Sequence, residues 1–91
     1  MIDVAVLGGG ISAEHDVSLA SAGEVVRHLD RDRWRVWPVR IDRSGYWHVA
    51  SAPVGADCDE PLQQGSEPPQ RPGVALGHLL DRCGVRIVFP V

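Results

Sequence analysis

Residues 8–16, Gly8-Gly9-Gly10-Ile11-Ser12-Ala13-Glu14-His15-Asp16, hold the densest set of chemically capable groups in the chain. Consecutive glycines let a backbone approach a ligand closely and adopt positive φ. Two carboxylates and an imidazole follow within three positions: a carboxylate suits a cationic amine, and an imidazole can orient a neighbour or hold a proton. If a helix starts here, its first-turn N–H groups and positive dipole end add a field that favours anions. Such a loop suits a small charged molecule.

The flanking residues say what must position it. Val4-Ala5-Val6-Leu7 is a near-continuous apolar run, as expected of a strand buried on both faces of a parallel sheet. From Val17 onward Ala20, Ala22, Val25, Val26 and Leu29 fall largely on one helical face, with Glu24, Arg27 and His28 on the other. Asp16 or Ser18 is expected to cap that helix. The order is strand, loop, helix.

Trp34 to Ile41 reads as a second strand, near an edge or bulged at Pro38, which lacks an N–H. Asp42-Arg43-Ser44-Gly45 has turn chemistry, and Tyr46-Trp47-His48-Val49 resumes extended character, giving a small hairpin around which Trp34, Trp37 and Trp47 are expected to cluster. Residues 50–73 hold five prolines and almost no large apolar side chains, so they read as a surface connection, partly mobile. Val74 to Cys83 has helical spacing with Gly84 as its stop, and Val85 to Val91 is a third apolar strand. These elements predict a small three-layer α/β fold with a parallel sheet, the first strand lying between the second and the last. Ligands in such sheets sit beyond the carboxyl ends of the strands, where residues 8–16 fall. A chain that halts on a core strand reads as truncated at its C-terminus.

At 91 residues the chain is at most one domain, burying only about 60–65% of its unfolded surface. A net charge of −3 recommends neither nucleic acid nor an anionic membrane as partner. All nine basic residues are arginine, so no phosphate-loop lysine lies here. Cys58 and Cys83 are too far apart for a Cys-x-x-Cys motif and read as reduced thiols. No signal peptide or spanning stretch is visible, and a cytoplasmic location is the simplest expectation.

Gly8 to Ala13 also satisfies the dinucleotide pattern G-x-G-x-x-A. That fingerprint wants an acid about 20 residues on to take the ribose hydroxyls. The first acid at the end of the second strand is Asp42, well beyond that spacing, and Glu14 and Asp16 would repel a pyrophosphate. A small Rossmann-like nucleotide-binding module remains the alternative.

Gly9-Gly10-Ile11-Ser12-Ala13-Glu14-His15-Asp16-Val17-Ser18-Leu19, preceded by Val4-Ala5-Val6-Leu7, resembles the N-terminal signature of the D-alanine–D-alanine ligases, ATP-grasp enzymes of peptidoglycan precursor synthesis. The likeness continues through the hairpin and Val85 to Val91, with residues 50–73 the poorest match. It implies a Rossmann-like pre-ATP-grasp domain, with D-alanine as the small-molecule substrate. It further implies that Glu14 pairs with the ammonium of the first D-alanine, that Val17 packs near its methyl group, and that Gly9, Gly10 and Ser12 shape the loop. Ser18 belongs to the same substrate-binding signature. His15 is expected to orient the loop or face solvent.

Gly8 stands where the family often has a larger residue, a change expected to loosen the loop. ATP and Mg2+ (or Mn2+) would be held by parts of a full-length enzyme outside these residues, possession of which the resemblance implies, along with a homodimer. The 91 residues alone are expected to be inactive.

Overall fold

The structure, a computed structural model, describes residues 1–63 and 68–91. Strand β1 (Ile2–Gly9) leads through α1 (His15–His28) to β2 (Trp34–Ile41), a hairpin returns along β3 (Trp47–Val49), and α2 (Pro72–Asp81) leads to β4 (Val85–Pro90). The sheet order is β3-β2-β1-β4, with β2 and β4 parallel to β1 and only the short β3 antiparallel. The expected central position of β1 is observed.

Alternation along β1 builds two cores. Ala5 and Leu7 face Ala75, Leu79 and Cys83 with Val39, Val49 and Val85. Val4 and Val6 face Ala22 and Val26 with Val36 and Leu62. One helix therefore covers each face, giving the three layers, and β1 is buried on both sides as its valine-rich run requires. Each fully buried Val or Leu of these cores contributes about 1.5–3 kcal/mol of transfer free energy.

Pro38 sits in β2, one strand in from the β3 edge. Its carbonyl accepts the Ala50 N–H at 3.1 Å, but it has no N–H to return, and regular pairing with β3 runs only from Val39↔Val49 to Ile41↔Trp47. The hairpin turn is organised by Asp42, whose Oδ1 accepts the N–H groups of Ser44 and Tyr46 at 2.9 and 3.1 Å while Oδ2 meets His48 Nε2 at 2.8 Å. These bonds, His48 foremost, hold the Asp42 carboxyl below its usual range against the opposing effect of desolvation.

Several expectations need correction. Helix α1 begins at His15, two residues before the first position of its apolar stripe, with Glu14 at the N-cap and no side-chain cap bond. Asp16 lies in the first turn and bonds Arg43 Nη2 at 3.1 Å instead of capping. Ser18 lies inside the helix, so it does not cap either. Helix α2 begins at Pro72, a residue whose missing N–H suits a first turn. The three tryptophans do not form one cluster: Trp37 of β2 and Trp47 of β3 pack on the α2 side and Trp34 on the α1 side, Trp34 and Trp37 lying at positions of opposite parity along β2.

The connection between β3 and α2 is anchored at several points. Val54 bridges Val36, Gln70 bridges Trp47, and Leu62, in a 3-10 turn over Pro61–Gln63, is buried against the α1-side core. The expectation of mobility extends over residues 64–67, which lie outside the described residues. At the opposite end of the sheet from the glycine loop, Asp3 accepts hydrogen bonds from Arg35 Nε at 2.6 Å, Arg35 Nη2 at 3.1 Å and Trp37 Nε1 at 2.9 Å. Arg35 is its partner in the parallel ladder, and its guanidinium holds the Asp3 carboxyl below its usual range although burial pushes the other way.

Candidate functional site

The carboxyl ends of β1, β2 and β4 converge on the loop from Gly9 to Glu14. Gly9 and Gly10 have φ of 99° and 114°, which side-chain-bearing residues rarely adopt. At Gly9 the chain also passes so close to the Ile41 carbonyl that a Cβ would collide with it. Gly10 donates its N–H to the same carbonyl at 2.8 Å, which ties the loop to the end of β2. Around the position of a Gly10 Cβ there is open space, so its glycine answers to conformation alone.

Gly8 is not part of a loosened loop. It lies within β1 beside Arg40, and a Cβ there would stand 2.5 Å from Ala22 Cβ, so its lack of a side chain lets α1 pack directly on the strand. The loop therefore starts at Gly9 and leaves from a rigid support.

The helix side of the loop is held by His15 and Ser18. His15 is only 7% exposed, although Ala13, Glu14, Asp16 and Val17 around it are exposed. Its Nδ1 lies 2.6 Å from the Gly10 carbonyl oxygen. A carbonyl can only accept, so Nδ1 carries the proton. Of the two readings for His15, the structure has it orient the loop. Ser18 Oγ accepts the Gly9 N–H at 3.0 Å and donates to the Val91 carbonyl at 2.8 Å, joining the end of β1 to the residue after β4.

Ser12 makes two bonds at the helix start: its Oγ accepts the Glu14 N–H at 3.2 Å and its carbonyl accepts the His15 N–H at 3.2 Å. Glu14 projects from the N-cap, exposed, and its carboxylate has no hydrogen bond or ion pair among the described residues. Val17, 61% exposed, lies one helical turn beyond it, an apolar residue open on the same N-terminal turn. The six residues singled out from the sequence (Gly9, Gly10, Ser12, Glu14, Val17 and Ser18) thus belong to one loop and one helical turn. What sequence reasoning underweighted is His15, whose signal is an aromatic ring set among small and exposed neighbours.

Arranged this way, the site offers a free carboxylate, the uncapped first turn of a 14-residue helix and a backbone shaped by two positive-φ glycines. It can receive a small molecule carrying an ammonium. Asp42, the one acid placed for a ribose, has its carboxylate engaged by Ser44, Tyr46 and His48. Among the described residues no three His, Cys, Asp or Glu side chains are grouped to hold a metal ion, and no helix is long and apolar enough to cross a membrane.

An open α/β sheet with its loop beyond the carboxyl ends of the strands defines the class as a small Rossmann-like α/β domain. Comparison with known proteins makes this specific: the family model described as "D-ala D-ala ligase N-terminus" matches residues 3–90, and the chain belongs to that family. D-alanine–D-alanine ligase A of Bradyrhizobium diazoefficiens is 40% identical over 107 aligned positions, covering 99% of this chain and 27% of that protein. The D-alanine–D-alanine ligase of Shouchella clausii is 36% identical, covering 97% and 27%.

Two solved structures agree. The D-alanine-D-alanine ligase of Coxiella burnetii matches with a TM-score of 0.52 at 35% identity over 53% of this chain and 14% of that one. The VanG D-Ala:D-Ser ligase of Enterococcus faecalis gives 0.53 at 35% over 56% and 15%. The chain spans about a quarter of the length of the curated relatives it matches, 27% in both cases above.

Proposed function

We propose that these residues are the N-terminal substrate-binding domain of an ATP-dependent D-alanine–D-alanine ligase, and that Glu14 holds the ammonium of the first D-alanine. The observation that carries this reading is the unpaired Glu14 carboxylate on a loop whose backbone is fixed on both sides. A charge-assisted hydrogen bond from an ammonium is the interaction such a group is free to make. Val17 packs against the methyl group, Gly9, Gly10 and Ser12 shape the wall, and Ser18 holds it to the strand ends.

In the full-length enzyme the carboxylate of the bound D-alanine attacks the γ-phosphate of ATP, and the amine of a second D-alanine displaces phosphate from the resulting acyl phosphate. This chain's part is to bind and orient the first substrate. No residue of it is assigned to ATP or Mg2+: lysine is absent, and among the described residues no three His, Cys, Asp or Glu side chains are grouped to hold a metal ion. Electrostatic stabilisation of phosphoryl transfer belongs to other domains. The residues alone are inactive, and the whole enzyme is a cytoplasmic homodimer supplying peptidoglycan precursors. Choice of the second substrate is assigned to other parts of the enzyme: over the 53% and 56% of this chain that align, identity is 35% both to a D-alanine-D-alanine and to a D-Ala:D-Ser ligase.

The test is an assay of the full-length protein with D-alanine and ATP. D-alanyl-D-alanine, ADP and phosphate in equal amounts are expected. Binding of NAD without dipeptide formation would favour the nucleotide-module alternative.

A further inference from the structure

The geometry points to His15 as a positioning residue that fixes the Gly10 carbonyl, and through it the path of the loop that presents Glu14. This rests on the ligase reading for its kinetic consequence. Gly10 is the weak point of the loop: its φ of 114° is accessible only to glycine, and no atom lies within 4 Å of where its Cβ would be, so packing does not restrain it. Hydrogen bonds must do so. Its N–H is held by Ile41 at 2.8 Å, and its carbonyl by His15 Nδ1 at 2.6 Å. The first fixes the peptide entering Gly10, the second the peptide leaving it toward Ile11.

The imidazole is itself held. It is 7% exposed, and its Cε1 lies against Gly9, 3.1 Å from where a Cβ would stand, so the ring occupies space that only a glycine leaves free. His15 follows Glu14 directly and opens α1. The bond back to Gly10 therefore closes the segment from Gly10 to His15, whose penultimate residue carries the carboxylate. Loss of the donor frees rotation at Gly10, and Glu14 then spends less time where an ammonium can meet it. The imidazole acts through the Gly10 carbonyl, so its loss is expected to show in binding of the first substrate and not in the steps that follow. Asparagine places an N–H donor close to where Nδ1 stands, whereas leucine fills similar space without one.

The experiment is steady-state kinetics of the full-length protein carrying His15→Leu, His15→Asn or Glu14→Gln. His15→Leu is expected to raise KM for the first D-alanine about tenfold, the size of one lost hydrogen bond, with kcat within about twofold. His15→Asn should restore KM to within about threefold of the parent. Equal damage from leucine and asparagine, or no KM change in His15→Leu while Glu14→Gln shows one, overturns the proposal.

No change in Glu14→Gln defeats the reading of Glu14 instead. The positioning claim is then judged by NMR of the full-length protein with labelled imidazoles, a measurement that also serves if His15→Leu does not fold. A protonated His15 Nδ1, protected from exchange in the parent protein, supports it, and an Nε2–H tautomer with bare Nδ1 overturns it.

Discussion

The Ser18 hydroxyl donates to the carbonyl oxygen of Val91 at 2.8 Å, linking residues 73 positions apart. Ser18 Oγ in turn accepts the Gly9 N–H at 3.0 Å. One side chain inside α1 therefore holds the ends of β1 and β4 in fixed relation beside the loop.

Replacing Ser18 with alanine leaves the part-buried Gly9 N–H without an acceptor, a cost of about 1–3 kcal/mol. Hydrogen exchange at the Gly9 amide should accelerate roughly tenfold or more. Unchanged protection would show that the bond carries no weight.

The two positive-φ glycines of the loop, Gly9 and Gly10, should respond differently to alanine. Gly10→Ala meets backbone strain alone, about 1–3 kcal/mol. Gly9→Ala adds a collision with the Ile41 carbonyl and must displace the end of β2. Thermal unfolding midpoints should fall further for Gly9→Ala than for Gly10→Ala, and the reverse order would contradict the geometry.

Asp3 gives a pH dependence with a defined sign. Its folded-state pKa is depressed, chiefly by the hydrogen bond from Arg35, so its contribution is complete above the unfolded value of about 3.9 and is lost as pH falls through the folded value. Asp3→Asn should lower the urea midpoint near neutrality and leave a shallower decline below about pH 4 than the parent shows. Parallel curves would remove Asp3 from the acid response.

Much of this was legible in the sequence because burial leaves a pattern. Val4 to Leu7 announces a strand covered on both faces, and Asp42 to Gly45 announces a turn; Val85 to Val91 announces a strand too, but the expected core strand is an edge strand in which Val85 is buried while Ile87 and Phe89 are exposed. Spacing places the start of α1 too late because His15, though buried, is not apolar and so falls outside a hydrophobic stripe. Its burial comes from tertiary contact with Gly9 and Gly10, which spacing along the chain does not encode. The pairing of Asp3 with Arg35 depends on strand register, and Leu62 reaches its core through a proline-rich stretch with no periodicity. The glycine loop stands out in the sequence as a candidate site, and the unpaired carboxylate within it is visible only once its neighbours are placed.

Leu62 supplies a separate test of the packing. It is the large apolar anchor of the segment after β3, 7% exposed, and Leu62→Ala should cost about 2–5 kcal/mol. Limited proteolysis should then cut between residues 50 and 63 faster than in the parent. Equal cleavage rates would mean that the anchor does not hold that segment.

The central claim is that Glu14 grips the ammonium of the first D-alanine, and its most direct test is the KM for that substrate in full-length Glu14→Gln. Loss of the charge from a charge-assisted bond of about 1.5–3 kcal/mol predicts a rise of roughly 10- to 100-fold with ATP binding unchanged. A KM equal to that of the parent enzyme would contradict the account.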